Sequence, residues 1–473
     1  MIEQIKAPFS PSIHMKPKID YLSLFILCTL YVISFYIFKN FYSLAPLFVI
    51  IGFFLLNLKN HIASFLFAFL FIIDPLNLYK FSGLLLIPYF LCFFNLILFK
   101  KSLSFLNEKK ISLLFKVLIV FNIFQFLSFF MIDSADLNFI KLNINHFFGI
   151  YILLPAAYYT LKNHNQIFIY LSSVSLLTVL IYLFSQLNII NIIDFYEVNR
   201  TTIQEGPVRS LSFDLRNITK IFVYLSPSFL LFYSNKKIIY LVSIIGAITY
   251  FSVASALLRN EMLYLILGSL FAVYLNQKFY MKRKYFKLIF SSIIIFFLLI
   301  YFLPNLYSSI LFTYNFTVDS YFNSRISDTS YDIRLYDQIP IIKKLFYESP
   351  FIGQGLFKNS FENTGHNLLF DVPVFASFST YGIIGMTIYF LRFIVIHKIF
   401  RVIKKIKFKR TNDNSLLLLT FVSLYAFFIT CITFKNFHIG VELAFWWAMP
   451  EFGLFMGIFV AIYYKIKYEK INS

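Results

Sequence analysis

The sequence predicts an all-α polytopic membrane protein, and three observations carry that prediction. Apolar windows long enough to span a bilayer, each roughly 19 residues, recur along the chain. The composition is 59% hydrophobic and 21% aromatic against only 14% charged, with a mean hydropathy of +0.75, whereas a soluble domain is about a quarter charged. The period-2 alternation of a membrane barrel is missing, and helices are the other way to satisfy every backbone group inside lipid.

Taken in order, about fourteen (12–14) apolar segments follow a polar start at 1–20. They fall near 21–38, 41–57, 61–78, 82–99, 111–132, 146–162, 166–190, 218–234, 237–256, 259–275, 286–303, 380–397, 415–434 and 445–464, with a tail at 465–473. The transmembrane domain is thus expected over 21–464. Asp74 interrupts the third segment. The first segment reads as a start-transfer helix, because a full-length apolar run follows the polar start without a small-residue cleavage site. With both termini cytoplasmic, the positive-inside rule is met by KRK at 282–284 and by the basic run 399–410. That distribution accounts for the net charge of +20 without a nucleic-acid partner. Cys28, Cys92 and Cys431 all lie in apolar segments, so no disulfide framework or metal site is expected.

This alternation leaves two long external loops, 191–217 and 304–379, on the same side. Loops of that length are functional or separately folded. Within the second, Leu335, Ile339, Ile342 and Leu345/Phe346 recur at helical spacing. They predict an amphipathic helix over 333–347 at the membrane surface, with Pro340 as a kink. The same loop runs into a stretch, 349–385, where the apolar monotony breaks. It holds a Pro-x-x-Gly-x-Gly turn (Pro350, Gly353, Gly355), a His-Asn pair (His366, Asn367) and a Gly-x-x-Gly (Gly382, Gly385).

The candidate chemistry gathers on that side. Arg200, Arg209 and Arg216 lie in the first loop, Arg259 at the next external hairpin, and Arg334 in the second loop. A guanidinium suits phosphate because its planar fork donates two parallel hydrogen bonds and keeps its charge. Local pairing is the competing explanation for Arg216 beside Asp214 and for Arg334 beside Asp337 or Gln338. Asp74, Lys116, Glu261, Arg392 and Glu451 are charged residues within or near helices. Of the seven histidines, His366 alone sits in a glycine-rich external loop, where a neutral imidazole suits a general base; His438 is a second, weaker candidate. There is no Asp-x-Asp, P-loop, Gly-x-Ser-x-Gly or His-Glu-x-x-His. A glycosyl donor would therefore have to arrive already activated, through the membrane, and neither metal nor cofactor is expected.

Over its C-terminal two thirds the chain resembles the bacterial O-antigen ligase and O-antigen polymerase family. The resemblance rests on VRSLSFDLRNITKIFVYLSP (208–227), ALLRNEMLYL (256–265), RLYDQIPIIKKLFYESPFIGQG (334–355) and HNLLFDVPVFASFSTYGIIG (366–385). The interval from His-Asn to Gly-x-x-Gly is longer here than is usual for the family, and Leu258-Arg259 stands where a Ser-Arg pair is usual.

The resemblance implies metal-independent, inverting glycosyl transfer at the outer face of the bacterial inner membrane. The donor would be an oligosaccharide on undecaprenyl diphosphate. Arg209, Arg259 and Arg334 would stabilise the leaving diphosphate and His366 would serve as base. Arg200, Arg216, Asn367, Gly353 and Gly355 would form the substrate-binding surroundings. Partners would be membrane lipids, a flippase and a chain-length regulator. A polymerase, a ligase acting on lipid A-core or protein, and, in another class, a lipid-linked glycan flippase are the readings left open; the long spacing leans toward polymerase.

Overall fold

The computed structural model describes residues 19–73, 86–98, 100–132, 148–186, 189, 217–255, 259–280, 339–354, 373–406, 412–433 and 448–469. Every regular element among them is helical. In chain order these are α1 (Tyr21–Asn40), α2 (Ala45–Asn57), α3 (His61–Ile73), α4 (Leu86–Leu98), α5 (Lys109–Ile132), α6 (Leu153–Gln186) and α7 (Asn217–Phe232). They continue as α8 (Lys236–Ser255), α9 (Arg259–Tyr280), α10 (Ile339–Glu348), α11 (Pro373–Lys404), α12 (Asn412–Thr433) and α13 (Ala448–Glu469). Short 3-10 turns precede α2, α5 and α6.

Among the described residues six helices are long and apolar enough to cross a membrane, consistent with a multi-pass membrane protein: Tyr21–Phe38, Lys109–Leu127, Gly149–Phe184, Phe378–Lys404, Asp413–Thr430 and Met449–Tyr468. Fourteen segments were expected. Shorter apolar helices stand at Ala45–Asn57, His61–Ile73, Leu86–Ile97, Ile218–Phe232 and Leu265–Gln277. A 13-residue helix such as α2 covers only about 20 Å of a hydrocarbon layer about 30 Å thick. The expected segment 286–303 lies outside the described residues.

Two expected segments, 146–162 and 166–190, are joined in α6, which bends at Asn163 (φ −156°, ψ 89°). Asn163 Oδ1 accepts the Gln166 N–H at 3.1 Å, and Asn163 Nδ2 donates to Gln166 Oε1 at 3.2 Å. This reciprocal pair ends one helix and caps the next. A straight helix of 36 residues would be about 54 Å long, well beyond one bilayer crossing.

Polar contacts sort the helix ends into two layers. At one end, Tyr170 Oη donates to the Asp20 carbonyl, while Asn60 Nδ2 and Gln166 Nε2 donate to Tyr170 Oη. Asn95 Nδ2 reaches Asn57 Oδ1 at 2.8 Å and Tyr159 Oη at 2.9 Å. Glu108 accepts from Lys467 Nζ at 2.7 Å and from Tyr463 Oη at 2.9 Å. Asn165 meets Asp413 in the same layer. The starts of α1, α3, α5 and α12 and the close of α13 therefore share one end.

At the other end, the Ile218 N–H donates to Glu451 Oε1 at 2.7 Å, so a carboxylate on α13 satisfies the first turn of α7. Gln125 Nε2 donates to Tyr381 Oη. The sixteen residues from Glu451 to Lys467 give a separation of about 24 Å between the layers. The helix starts at Asn217 and Arg259 and the turn at Gly353 fall toward this second end.

Helix α13 is the spine, with 89% of its span buried. It packs along α6 and α12. A Cβ on Gly457 would lie 2.5 Å from the Leu153 carbonyl oxygen, so the two backbones approach as small residues allow in membrane helix pairs.

Glu108 holds the far end of that spine. Burial works to raise its pKa, but hydrogen bonds from Lys467, the Ile111 N–H and Tyr463 outweigh it and hold the carboxyl below its ordinary 4.5. A depressed folded-state value means that its stabilisation is full above the unfolded value near 4.5 and is lost as pH falls through the folded value. Glu108→Gln is therefore expected to cost about 1–3 kcal/mol through the lost cap and charge-assisted bonds. Thermal unfolding of the detergent-solubilised chain at pH 7 checks this, and the gap between variant and wild type should narrow as the pH is lowered below 4.5.

Candidate functional site

The stretch that interrupts the apolar pattern folds as one backbone unit. Helix α10 is described over Ile339–Glu348 and includes Pro340; the expected kink there rests on the residues that precede it. Ile342 and Leu345 are buried while Lys343, Lys344 and Tyr347 are exposed, which makes the segment amphipathic as expected; 333–338 lie outside the described residues.

The chain leaves α10 through Ser349–Gln354, and Gly353 turns at φ +78° with its N–H donating to the Ser349 carbonyl at 3.0 Å. Helix α11 starts at Pro373, earlier than the expected loop end at 379. Its first stretch stops at Gly382, which adopts φ +60°, ψ −173°. That region of backbone space is essentially open to glycine alone.

A break in an apolar helix strands carbonyls before it and N–H groups after it. The 349–354 turn supplies the partners. Gln354 N–H donates to the Ser379 carbonyl at 2.8 Å, Ile383 N–H to the Pro350 carbonyl at 2.9 Å, and Ile384 N–H to the Phe351 carbonyl at 3.1 Å. The approach is too close for side chains. A Cβ on Gly353 would lie 2.1 Å from the Thr380 carbonyl oxygen, and one on Gly382 would lie 2.3 Å from the Phe351 carbonyl oxygen. The Pro-x-x-Gly turn and the Gly-x-x-Gly start, read as separate motifs in sequence, thus interlock. Gly385 completes the seat by letting the Phe124 ring of α5 against α11.

Gly353 is the member of the expected site whose full geometry is described. Arg259 opens α9 at the same end of the bundle, its side chain lying outside what is described. His366, Asn367, Arg200, Arg209, Arg216, Arg334 and Gly355 also lie outside the described residues. The segments that carry them join the described chain at Asn217, Ile339, Gln354 and Pro373. Among the described residues there is no group of three or more His, Cys, Asp or Glu that could hold a metal.

Two residues left out of the expected site stand out in the interior. Glu451 is fully buried and caps α7. Arg392 is 1% exposed, with its guanidinium 3.8 Å from the Tyr389 ring centre and 5.1–5.3 Å from those of Phe121, Phe393 and Phe452. Its Nε and Nη2 have no hydrogen-bond partner among the described residues. An arginine stays charged in proteins. Desolvating an ion costs several kcal/mol, while a desolvated cation–π contact returns about 2 kcal/mol. The rings stabilise that charge but supply no acceptor for Nε and Nη2. The sequence signal was a single arginine inside the apolar run MTIYFLRFIVI.

Comparison with protein-family models and with curated proteins finds no match.

Gly382→Ala is expected to destabilise the chain by at least about 2 kcal/mol, since strained backbone of this kind costs about 1–3 kcal/mol before any clash. The measurement is thermal unfolding together with protease cleavage near 349–354, which should rise in the variant. Unchanged stability and cleavage would show that the interlock does not form.

Proposed function

We propose that this protein transfers a glycan from a polyprenyl diphosphate carrier to an acceptor hydroxyl at the outer face of the bacterial inner membrane. We take it as the polymerase of a surface polysaccharide. The observation that carries the reading is the interlock of Gly353 and Gly382. It joins two of the elements on which the resemblance to O-antigen ligases and polymerases rests. It also lies toward the same end of the bundle as the helix starts at Asn217 and Arg259. That arrangement supports a single site into which the loop bearing Arg209, the Arg259 hairpin, the Arg334 segment and the His366 loop converge.

In this site the arginines neutralise the departing diphosphate, and His366 takes the proton from the attacking hydroxyl. The diphosphate is the leaving group, so no nucleotide site is called for. A ligase would run the same chemistry on a lipid A-core or protein acceptor, with Arg200, Arg216 and Asn367 again placing the donor. Membrane lipids, a flippase that delivers the donor, and a chain-length regulator are the partners this reading entails.

A transport function is the second reading, and one feature favours it. Transporters place broken helices and charges inside the bundle, and α11 has both in Gly382 and Arg392.

Alanine at Arg209, Arg259 or Arg334 is expected to abolish glycan polymerisation with protein levels unchanged, read as polysaccharide length on gels. Wild-type lengths from all three variants would contradict the proposal. His366→Ala should behave likewise, and full activity would move the base elsewhere, His438 first. Under the transport reading, deletion would instead strand lipid-linked units in the cytoplasmic leaflet.

A further inference from the structure

We infer that the Nε/Nη2 edge of Arg392 is an oxyanion site in the interior of the bundle, built to take a phosphate group. The argument starts from which atoms are bare. Nε and Nη2 carry the two N–H groups that point the same way from the guanidinium, the pair that grips a carboxylate or phosphate side-on. Those two nitrogens are buried and lack an acceptor among the described residues.

The face of the group is already used. Tyr389 stacks at 3.8 Å, and Phe121, Phe393 and Phe452 close around it. The rings thus fix the plane of the fork and leave its edge as the binding direction. Such preorganisation favours an anion that can set two oxygens in the plane of the fork, as a phosphate group can.

The position argues against a surface role. Arg392 is ten residues beyond Gly382, about 15 Å along α11, too deep for ordinary snorkelling to explain a 1% exposed side chain. An ionisable group at such a place is a functional-site candidate by default. A column of rings leads from it to the helix break. Phe121 packs on Tyr389 at 5.8 Å and on Tyr381 at 5.6 Å, and Tyr381 directly precedes Gly382. Admission of an anion requires those rings to part next to the one residue of α11 whose backbone is already non-helical.

The shared chemistry is a phosphate oxyanion, supplied either free or as a lipid headgroup, and the site does not depend on glycosyl transfer. The test uses the full chain, purified and delipidated in an uncharged detergent. Its unfolding midpoint is followed against inorganic phosphate and, separately, against phosphatidylglycerol in mixed micelles.

A saturable rise with phosphate assigns the free ion, and a rise only with phosphatidylglycerol assigns the headgroup. Arg392→Lys keeps the charge but loses the fork, so its apparent affinity should fall on the order of tenfold; Arg392→Met should not respond. The inference is overturned if the wild type responds to neither probe, or if the lysine variant responds as the wild type does. Those two results remain decisive should the methionine variant fail to fold.

Discussion

In a chain this apolar, a helix can stop inside the bundle only where other groups take over its hydrogen bonds. That constraint governs the junction at Gly382. Three bonds from the 349–354 turn satisfy the break, and two glycines remove the Cβ atoms that would hold the segments apart. The turn, the end of α10 and both stretches of α11 consequently hold together or come apart together. Whatever chemistry the flanking segments carry is mounted on that junction.

The same demand explains the rest of the scaffold. Helix starts are closed by side-chain carboxylates: Glu451 of α13 for α7, and Asp20, which accepts the Ser23 N–H, for α1. Glu108 closes its own helix and ties α13 to it. These contacts fall into two layers about 24 Å apart, with packed aromatic side chains between them. Arg392 departs from the pattern, since its polar edge faces the interior with no such answer.

Much of the helical order was legible because apolar runs and their polar interruptions are one-dimensional signals. The amphipathic face of α10 was read from Ile342 and Leu345, both of which are buried. The bend between the sixth and seventh expected segments was legible as LKNHNQ, although the reciprocal capping by Asn163 and Gln166 was not.

The site was legible in part. Glycines at 353 and 382 announced unusual backbone, but their mutual contact spans 29 residues of sequence and no local pattern encodes it. Arg392 was visible as a charge among apolar residues, yet its aromatic enclosure draws on three separate helices, α5, α11 and α13.

The most direct test of the account is residue-resolved hydrogen exchange on the full chain in lipid nanodiscs, at the amides of Gln354, Ile383 and Ile384. The account predicts protection comparable to that of amides in the middle of α11, because all three are bonded across the junction. Exchange at the rate of an unstructured peptide at these positions, with the middle of α11 protected, would contradict it.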